Sequence, residues 1–111
     1  MDCIFCKIVH KEIASEIIYE DKNFIVFNDI NPIAPVHILI IPKEHVPTLD
    51  LIELHDKELI GEMILTAKKI AENQAALHSG YRLIFNVGRD AGQTVNHLHL
   101  HLLGGKKLLW L

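Results

Sequence analysis

Hydrophobic positions along the chain follow two different periods. From Asp56 onward Leu59, Ile60, Met63, Ile64, Ala67, Ile70 and Ala71 recur three and four residues apart, with Glu62, Lys68, Lys69 and Glu72 on the other faces. That spacing predicts one long amphipathic helix. It should fade near His78, Ser79 and Gly80, because glycine readily takes the left-handed conformation that ends helices. Elsewhere the apolar runs are short. IIYED (17–21), NFIVFNDI (23–30), VHILIIP (36–42) and YRLIFNV (81–87) are rich in β-branched and aromatic residues and predict strands. Asp21, Lys22 and Asn23 make the first two a hairpin, NPIAP (31–35) is a proline-bounded loop, and Pro42 closes the third run, which is apolar enough to be well buried. A turn or short helix around residues 4 to 10 precedes them.

NHLHLHLL (96–103) supplies the fifth strand. Side chains alternate faces along a strand, so His97, His99 and His101 share one face while Leu98, Leu100 and Leu102 anchor the other. GRDAGQT (88–94) turns the chain into this segment, and Gly104 with Gly105 ends it. Strands grouped on either side of one helix, with short turns between neighbours, predict a single α+β domain over residues 1–111. It should have a mainly antiparallel five-stranded sheet, one long helix and a short N-terminal helix.

Composition narrows the partners. The 111 residues are 50% hydrophobic and carry a formal charge of -3. Without a basic patch the chain lacks the electrostatic footprint of nucleic-acid binding, and a small-molecule ligand fits better. There is no signal-peptide pattern and no run near the ~18 apolar residues that span a bilayer, so a cytoplasmic location away from the membrane is expected. A domain this small often gains from dimerising or from binding metal. The only two cysteines, Cys3 and Cys6, are too close in sequence to staple a secreted fold. They leave three readings: half of a structural zinc site, free thiols, or a redox pair.

Three imidazoles at strict period two are poorly explained as a solvated face that happens to use histidine. Two chemistries suit them. A pair of histidines one residue apart on a strand can chelate zinc with a third ligand from elsewhere. Alternatively, a neutral imidazole attacks phosphorus well and splits a difficult substitution into two steps. Asn86, Gln93 and Thr94, with the glycines of the loop, concentrate donors suited to phosphate, and no nearby Asp or Glu completes an open zinc site. Phosphoryl chemistry is favoured.

AGQTVNHLHLHLLGG strongly resembles the signature of the histidine-triad (HIT) superfamily, and the trailing LLGG is similar to its Hint (protein kinase C inhibitor-like) branch. The likeness extends through IFCKIVHKEI, FNDINPIAPVHILIIPKEH and GYRLIFNVGRDAGQ. It implies a HIT-like fold, a homodimer, and nucleotidyl hydrolysis or transfer at the α-phosphate of a purine nucleotide, with no organic cofactor. Carried over by residue, His99 is the implied nucleophile, forming a nucleotidyl-histidine. His101 and Gln93 would contact phosphate oxygens, and the peptide carbonyl of His97 would hold the far nitrogen of His99 and fix its tautomer. Thr94 and Asn86 match phosphate or leaving-group contacts, and His37 matches a fourth active-site histidine. Asp29 matches the carboxylate that accepts the ribose hydroxyls, while Phe5, Ile8, Phe27, Ile30 and Leu39 match the apolar walls of the base pocket.

Taken alone, several of these residues read more plainly. Asp29 would be an ordinary turn acid, His37 a satisfied core histidine, and Ile8, Phe27, Ile30 and Leu39 simply core. The resemblance reverses those odds for Asp29 and His37. His10, His55 and His78 match nothing and should be exposed. Many bacterial HIT proteins pair an N-terminal Cys-x-x-Cys with the histidine of a PKxH segment and the first triad histidine. This implies a structural zinc site at Cys3, Cys6, His45 and His97. The activity so implied is cleavage of the P–N bond of purine nucleoside 5′-phosphoramidates. The alternatives are dinucleoside polyphosphate hydrolysis and a non-catalytic nucleotide-binding or scaffold role.

Overall fold

The strands and helices follow the chain as α1 (Ile4–Val9), β1 (Ile17–Glu20), β2 (Phe24–Asn28), β3 (Val36–Pro42), α2 (Lys57–Glu72), β4 (Tyr81–Ile84) and β5 (Leu100–Gly104) in a computed structural model that describes residues 3–110. The five strands form one mainly antiparallel sheet, as the sequence predicts, with every neighbouring pair antiparallel; their order is β1-β2-β3-β5-β4. The β1–β2 hairpin is closed by Asp21, whose Oδ1 accepts the backbone N–H of Asn23 and of Phe24, each at 2.8 Å. A short acidic side chain that satisfies amides two and three residues on is what makes this a tight turn.

Period two divides the sheet between two helices. Phe24 and Val26 of β2, Ile38 and Ile40 of β3, and Leu98, Leu100 and Leu102 pack with Met63, Ala67, Ile70 and Ala71 of α2. The intervening residues Ile25, Phe27, Leu39 and Ile41 face the opposite way and pack with Phe5 and Ile8 of α1. β2 and β3 are therefore buried on both faces, which is why their sequences read as nearly continuous apolar runs. α1 has only six residues, too few to be stable without the surface that it covers.

Among the expected boundaries that move, two bear on the core and the site. The long helix ends at Glu72, with Asn73 as its C-cap, and not near His78; a turn of 3₁₀ helix at Ala75–Leu77 follows, then Gly80 at φ 138°. Ending early lets Leu77 turn into the core, where it covers Gly104 so closely that a Cβ at that glycine would collide with the Leu77 side chain. Gly105 stops β5 with φ 93°, and a Cβ there would come within 2.9 Å of Pro35. The second change concerns the histidine segment. Ladder pairing begins only at Leu100, so His97 and His99 precede β5 instead of lying within it. Alternation nevertheless persists, because Leu98 is buried in the same cluster as Leu100 and Leu102.

Burying a leucine that is 1% exposed on the α2 face should dominate local stability. Leu100→Ala is expected to cost about 2–5 kcal/mol, read as a lowered midpoint in urea unfolding. Leu109→Ala, at a position 83% exposed, should change stability by less than about 0.5 kcal/mol.

Candidate active site and metal centre

All three triad histidines stand on the α1 face of the sheet, but their surroundings differ. His97 is fully buried, His99 is nearly so and His101 is half-buried. The His99 ring lies 5.0 Å from that of His101 and 5.1 Å, edge to face, from Phe5 of α1. Its Nδ1 is 2.7 Å from the carbonyl oxygen of His97. A carbonyl only accepts, so Nδ1 carries a proton, and in the neutral ring Nε2 is the nitrogen that keeps its lone pair.

Hydrogen bonds fix the neighbouring rings in the same way. The backbone N–H of Ile33 donates to His37 Nδ1 at 3.2 Å, so His37 carries its proton on Nε2. That atom is 2.9 Å from His101 Nδ1 and 3.4 Å from Asp29 Oδ2. His101 Nδ1 therefore accepts, and its own proton sits on Nε2, 3.5 Å from the side-chain amide of Asn86, which can accept that proton only through its oxygen. Asp29 turns out to be both a turn acid and a site residue. Its Oδ1 accepts the backbone N–H of Asn31 at 2.8 Å while Oδ2 faces His37. Asp29, His37 and His101 also bring three ligand-type atoms together, but the Ile33 amide places a proton on the His37 nitrogen that an ion would need.

Burial, with smaller contributions from His99 and His37, pushes His101 down to about 4. Burial also lowers His37, against the opposing pull of Asp29. Both rings are neutral at pH 7, so each presents one donor and one acceptor instead of two donors.

A cavity of about 430 Å³ opens in front of these groups, within the usual size range of small-molecule sites. Phe5, Ile8, Phe27, Ile30 and Leu39 line it together with Asp29, His37, Thr94, His99 and His101. Phe5, Ile8, Phe27 and Leu39 are at the same time buried in the core under α1, whereas Ile30 is 82% exposed and forms only the rim. The structure does not bring Gln93 or Asn86 to the cavity wall. Asn86 reaches the site only through His101, and Gln93 hydrogen-bonds within the protein. The sequence reading missed the Ile33 amide and several wall residues, among them Ile4, Ile13, Ser15, Asn31 and Val95, because a backbone N–H and ordinary apolar or small polar residues leave no chemical mark in a sequence.

On the other side of His99, Cys3, Cys6, His45 and His97 converge. His97 Nδ1 is 3.3 Å from Cys3 Sγ, 3.5 Å from Cys6 Sγ and 3.1 Å from His45 Nδ1, and Cys6 Sγ is 3.2 Å from His45 Nδ1. Tetrahedral zinc with Zn–N near 2.0–2.1 Å and Zn–S near 2.3 Å needs ligand-to-ligand edges of about 3.3–3.8 Å, so the four atoms already approach the required tetrahedron. His97 Nε2 donates to the carbonyl of Pro42 at 2.8 Å, which turns the bare Nδ1 toward the cluster as outer-shell hydrogen bonds do in metal sites. Burial and the adjacent Cys3 raise the Cys6 thiol, opposite to the lowered pKa of a redox-active thiolate. The donor set thus fits a zinc ion. His10, His55 and His78 are exposed, as expected.

The HIT domain family matches residues 10–108. The purine nucleoside phosphoramidase of Escherichia coli (strain K12) is 47% identical over 107 residues, covering 96% of this chain and 90% of that protein. A crystal structure of a HIT family hydrolase from Legionella pneumophila Philadelphia 1 superimposes with a TM-score of 0.95 at 47% identity, covering 98% of this chain and 97% of the other. A Zn-bound histidine triad family protein from Mycobacterium smegmatis aligns with a TM-score of 0.85 at 34% identity, over 99% of this chain and 81% of its own.

The lowered histidines set a direction for stability. Their ordinary value is 6.5, and His101 holds off its proton to about 4 in the folded chain. Between those values the unfolded chain binds more protons, so stability falls as pH drops from 6.5 toward 4 and is fully present above 6.5. Urea midpoints should decline from pH 7 to pH 5, and His101→Gln should decline less than the unaltered protein; an equal decline would remove His101 as a cause.

Proposed function

The chain belongs to the HIT domain family, and from that membership we propose that it is a hydrolase of purine nucleoside 5′-phosphoramidates. The observation that carries the proposal is the bond from His99 Nδ1 to the His97 carbonyl, which leaves Nε2 as the bare nitrogen of a buried ring at the cavity. The likeness to the purine nucleoside phosphoramidase supports the substrate class.

In this mechanism the base lies among Phe5, Ile8, Phe27 and Leu39, with Ile30 at the rim, and Asp29 accepts hydrogen bonds from the ribose hydroxyls. His99 Nε2 attacks the α-phosphorus, the P–N bond breaks, and its electron pair leaves on the nitrogen, which takes a proton from solvent and departs as the amine. Protonation is required because an amide anion is a very poor leaving group. His101 Nε2–H hydrogen-bonds a phosphoryl oxygen, with His37 Nε2–H holding the acceptor side of that ring in place, and Thr94 borders the leaving amine. Water then attacks the phosphorus of the nucleotidyl-histidine and gives up a proton to solvent, the P–N bond breaks with its electron pair returning to His99 Nε2, and the nucleoside monophosphate departs.

Cys3, Cys6, His45 and His97 would hold a structural zinc ion, a reading supported by their geometry and by the Zn-bound relative. Holding an ion there, these residues would cross-link α1 to the segment before β5. A homodimer fits the same reading, since β4 is a sheet edge and Tyr81 on it and Leu65 on α2 are exposed. No helix among the described residues is long and apolar enough to cross a membrane, and a cytoplasmic enzyme acting on a free nucleotide accords with that.

Incubation with adenosine 5′-phosphoramidate should release AMP, and His99→Ala should lower turnover by at least about 1,000-fold; turnover unchanged by that substitution would remove His99 as nucleophile. AMP binding without any turnover would favour a binding role. Protein prepared without chelator should contain one zinc per chain, and Cys3→Ser should lose it, read by elemental analysis; absence of zinc in the unaltered protein would overturn the metal assignment.

A further inference from the structure

Gln93 stands in the glycine-rich loop beside the cavity, where the family likeness makes it a phosphate contact, yet its side chain is fully engaged elsewhere. A primary amide offers two N–H donors and a carbonyl with two lone pairs. Gln93 Nε2 donates to the carbonyl of Pro47 at 2.9 Å and to that of Val95 at 3.1 Å. Its Oε1 accepts the Thr48 hydroxyl at 3.1 Å and the Gly88 N–H at 2.9 Å. Its backbone N–H is also used, on the Gly88 carbonyl at 3.1 Å. To reach a phosphate, the side chain would have to abandon two carbonyls that have no other donor among the described residues.

These bonds belong to a row. His45 meets His97 in the metal cluster, the Val46 carbonyl accepts the Leu98 N–H at 2.6 Å, and Pro47 with Thr48 holds Gln93. Four successive residues, 45 to 48, are each tied to the segment 93–98. That segment lies outside the sheet ladder, so these ties do the work that strand pairing does elsewhere. What they hold includes Thr94 and Val95 on the cavity wall and the peptide of His97 that orients His99.

We propose that Gln93 is a positioning residue, an amide latch that locks the 88–95 loop to Pro47 and Thr48 and thereby sets the place of Thr94 and of the nucleophile segment, without its side chain touching phosphate. The inference rests on the phosphoramidase reading and on His99 as nucleophile. A latch and a phosphate ligand respond differently when the lock is opened from the far side. Thr48 does not line the cavity, so it tests the latch without touching substrate.

The experiment measures kcat and KM for adenosine 5′-phosphoramidate, and the Kd of AMP, on the intact protein. Gln93→Ala should lower kcat about 100-fold, the scale expected when reacting groups shift by about an ångström, while AMP affinity, set mainly by the base pocket, stays within about threefold. Thr48→Val, which removes one hydroxyl bond, should lower kcat about 3- to 10-fold, and Thr48→Ser should restore it. The double variant Thr48→Val/Gln93→Ala should be no slower than Gln93→Ala alone, because the two act as one unit. Unaltered kcat in Thr48→Val, or a double variant slower by the product of the single effects, would overturn the latch and return Gln93 to direct contact. Should Gln93→Ala fail to fold, the comparison of Thr48→Val with Thr48→Ser still decides. His99→Ala in the same assay separates the two readings, since retained turnover there would defeat the nucleophile assignment whatever the Thr48 variants do.

Discussion

The 2.7 Å hydrogen bond between His99 Nδ1 and the carbonyl of His97 decides what the site can do. It places the proton on the inner nitrogen and leaves the outer one bare, and a neutral imidazole with its lone pair exposed is the form that attacks phosphorus. The bond is only as reliable as the peptide that accepts it. His97 is fixed at three points: its carbonyl by His99, its Nε2 by Pro42 at 2.8 Å, and its Nδ1 within the Cys3, Cys6 and His45 cluster. The residue that looks redundant in the triad is thus the support for the proposed nucleophile.

The two faces of the sheet divide the labour. The α2 face is a purely apolar core, in which Leu98, Leu100 and Leu102 anchor the histidine segment. The α1 face is a thinner layer, and Phe5, Ile8, Phe27 and Leu39 serve there both as packing and as cavity wall. Imidazoles set into that layer are desolvated, which lowers His37 and His101 and keeps them neutral. A polar group buried this way is costly unless hydrogen-bonded, and no buried side-chain nitrogen or oxygen among the described residues lacks a partner. The chain of Ile33, His37 and His101 satisfies the buried nitrogens and orients their protons in one arrangement.

Much of this was legible in the sequence. The five strands, their antiparallel pairing and the helix from Lys57 follow from period and turn chemistry, as does the shared face of the histidines, whereas the strand order, with β5 between β3 and β4, does not. The register of that face survives although His97 and His99 stand outside the ladder, because burial of Leu98 enforces the alternation without strand bonds. Strand ends were harder to read. YRLIFNV keeps its apolar character past Ile84, yet pairing stops there, since hydropathy records burial and not hydrogen bonding. Asp29 could be assigned to a turn or to a site from sequence, and it occupies both. The helix end was placed too late because the pull of Leu77 toward Gly104 is a tertiary contact. Least legible were tautomers and the engagement of Gln93, which depend on the backbone carbonyls and amides that every residue carries.

The arrangement of protons on the four active-site rings is the most direct consequence of these bonds, and nitrogen-15 NMR of uniformly labelled protein at pH 7 reads it ring by ring. His99 should show a protonated Nδ1 and a bare Nε2, while His37, His97 and His101 should each show a protonated Nε2. A His99 ring protonated on Nε2 would leave no lone pair toward the cavity and would contradict the account.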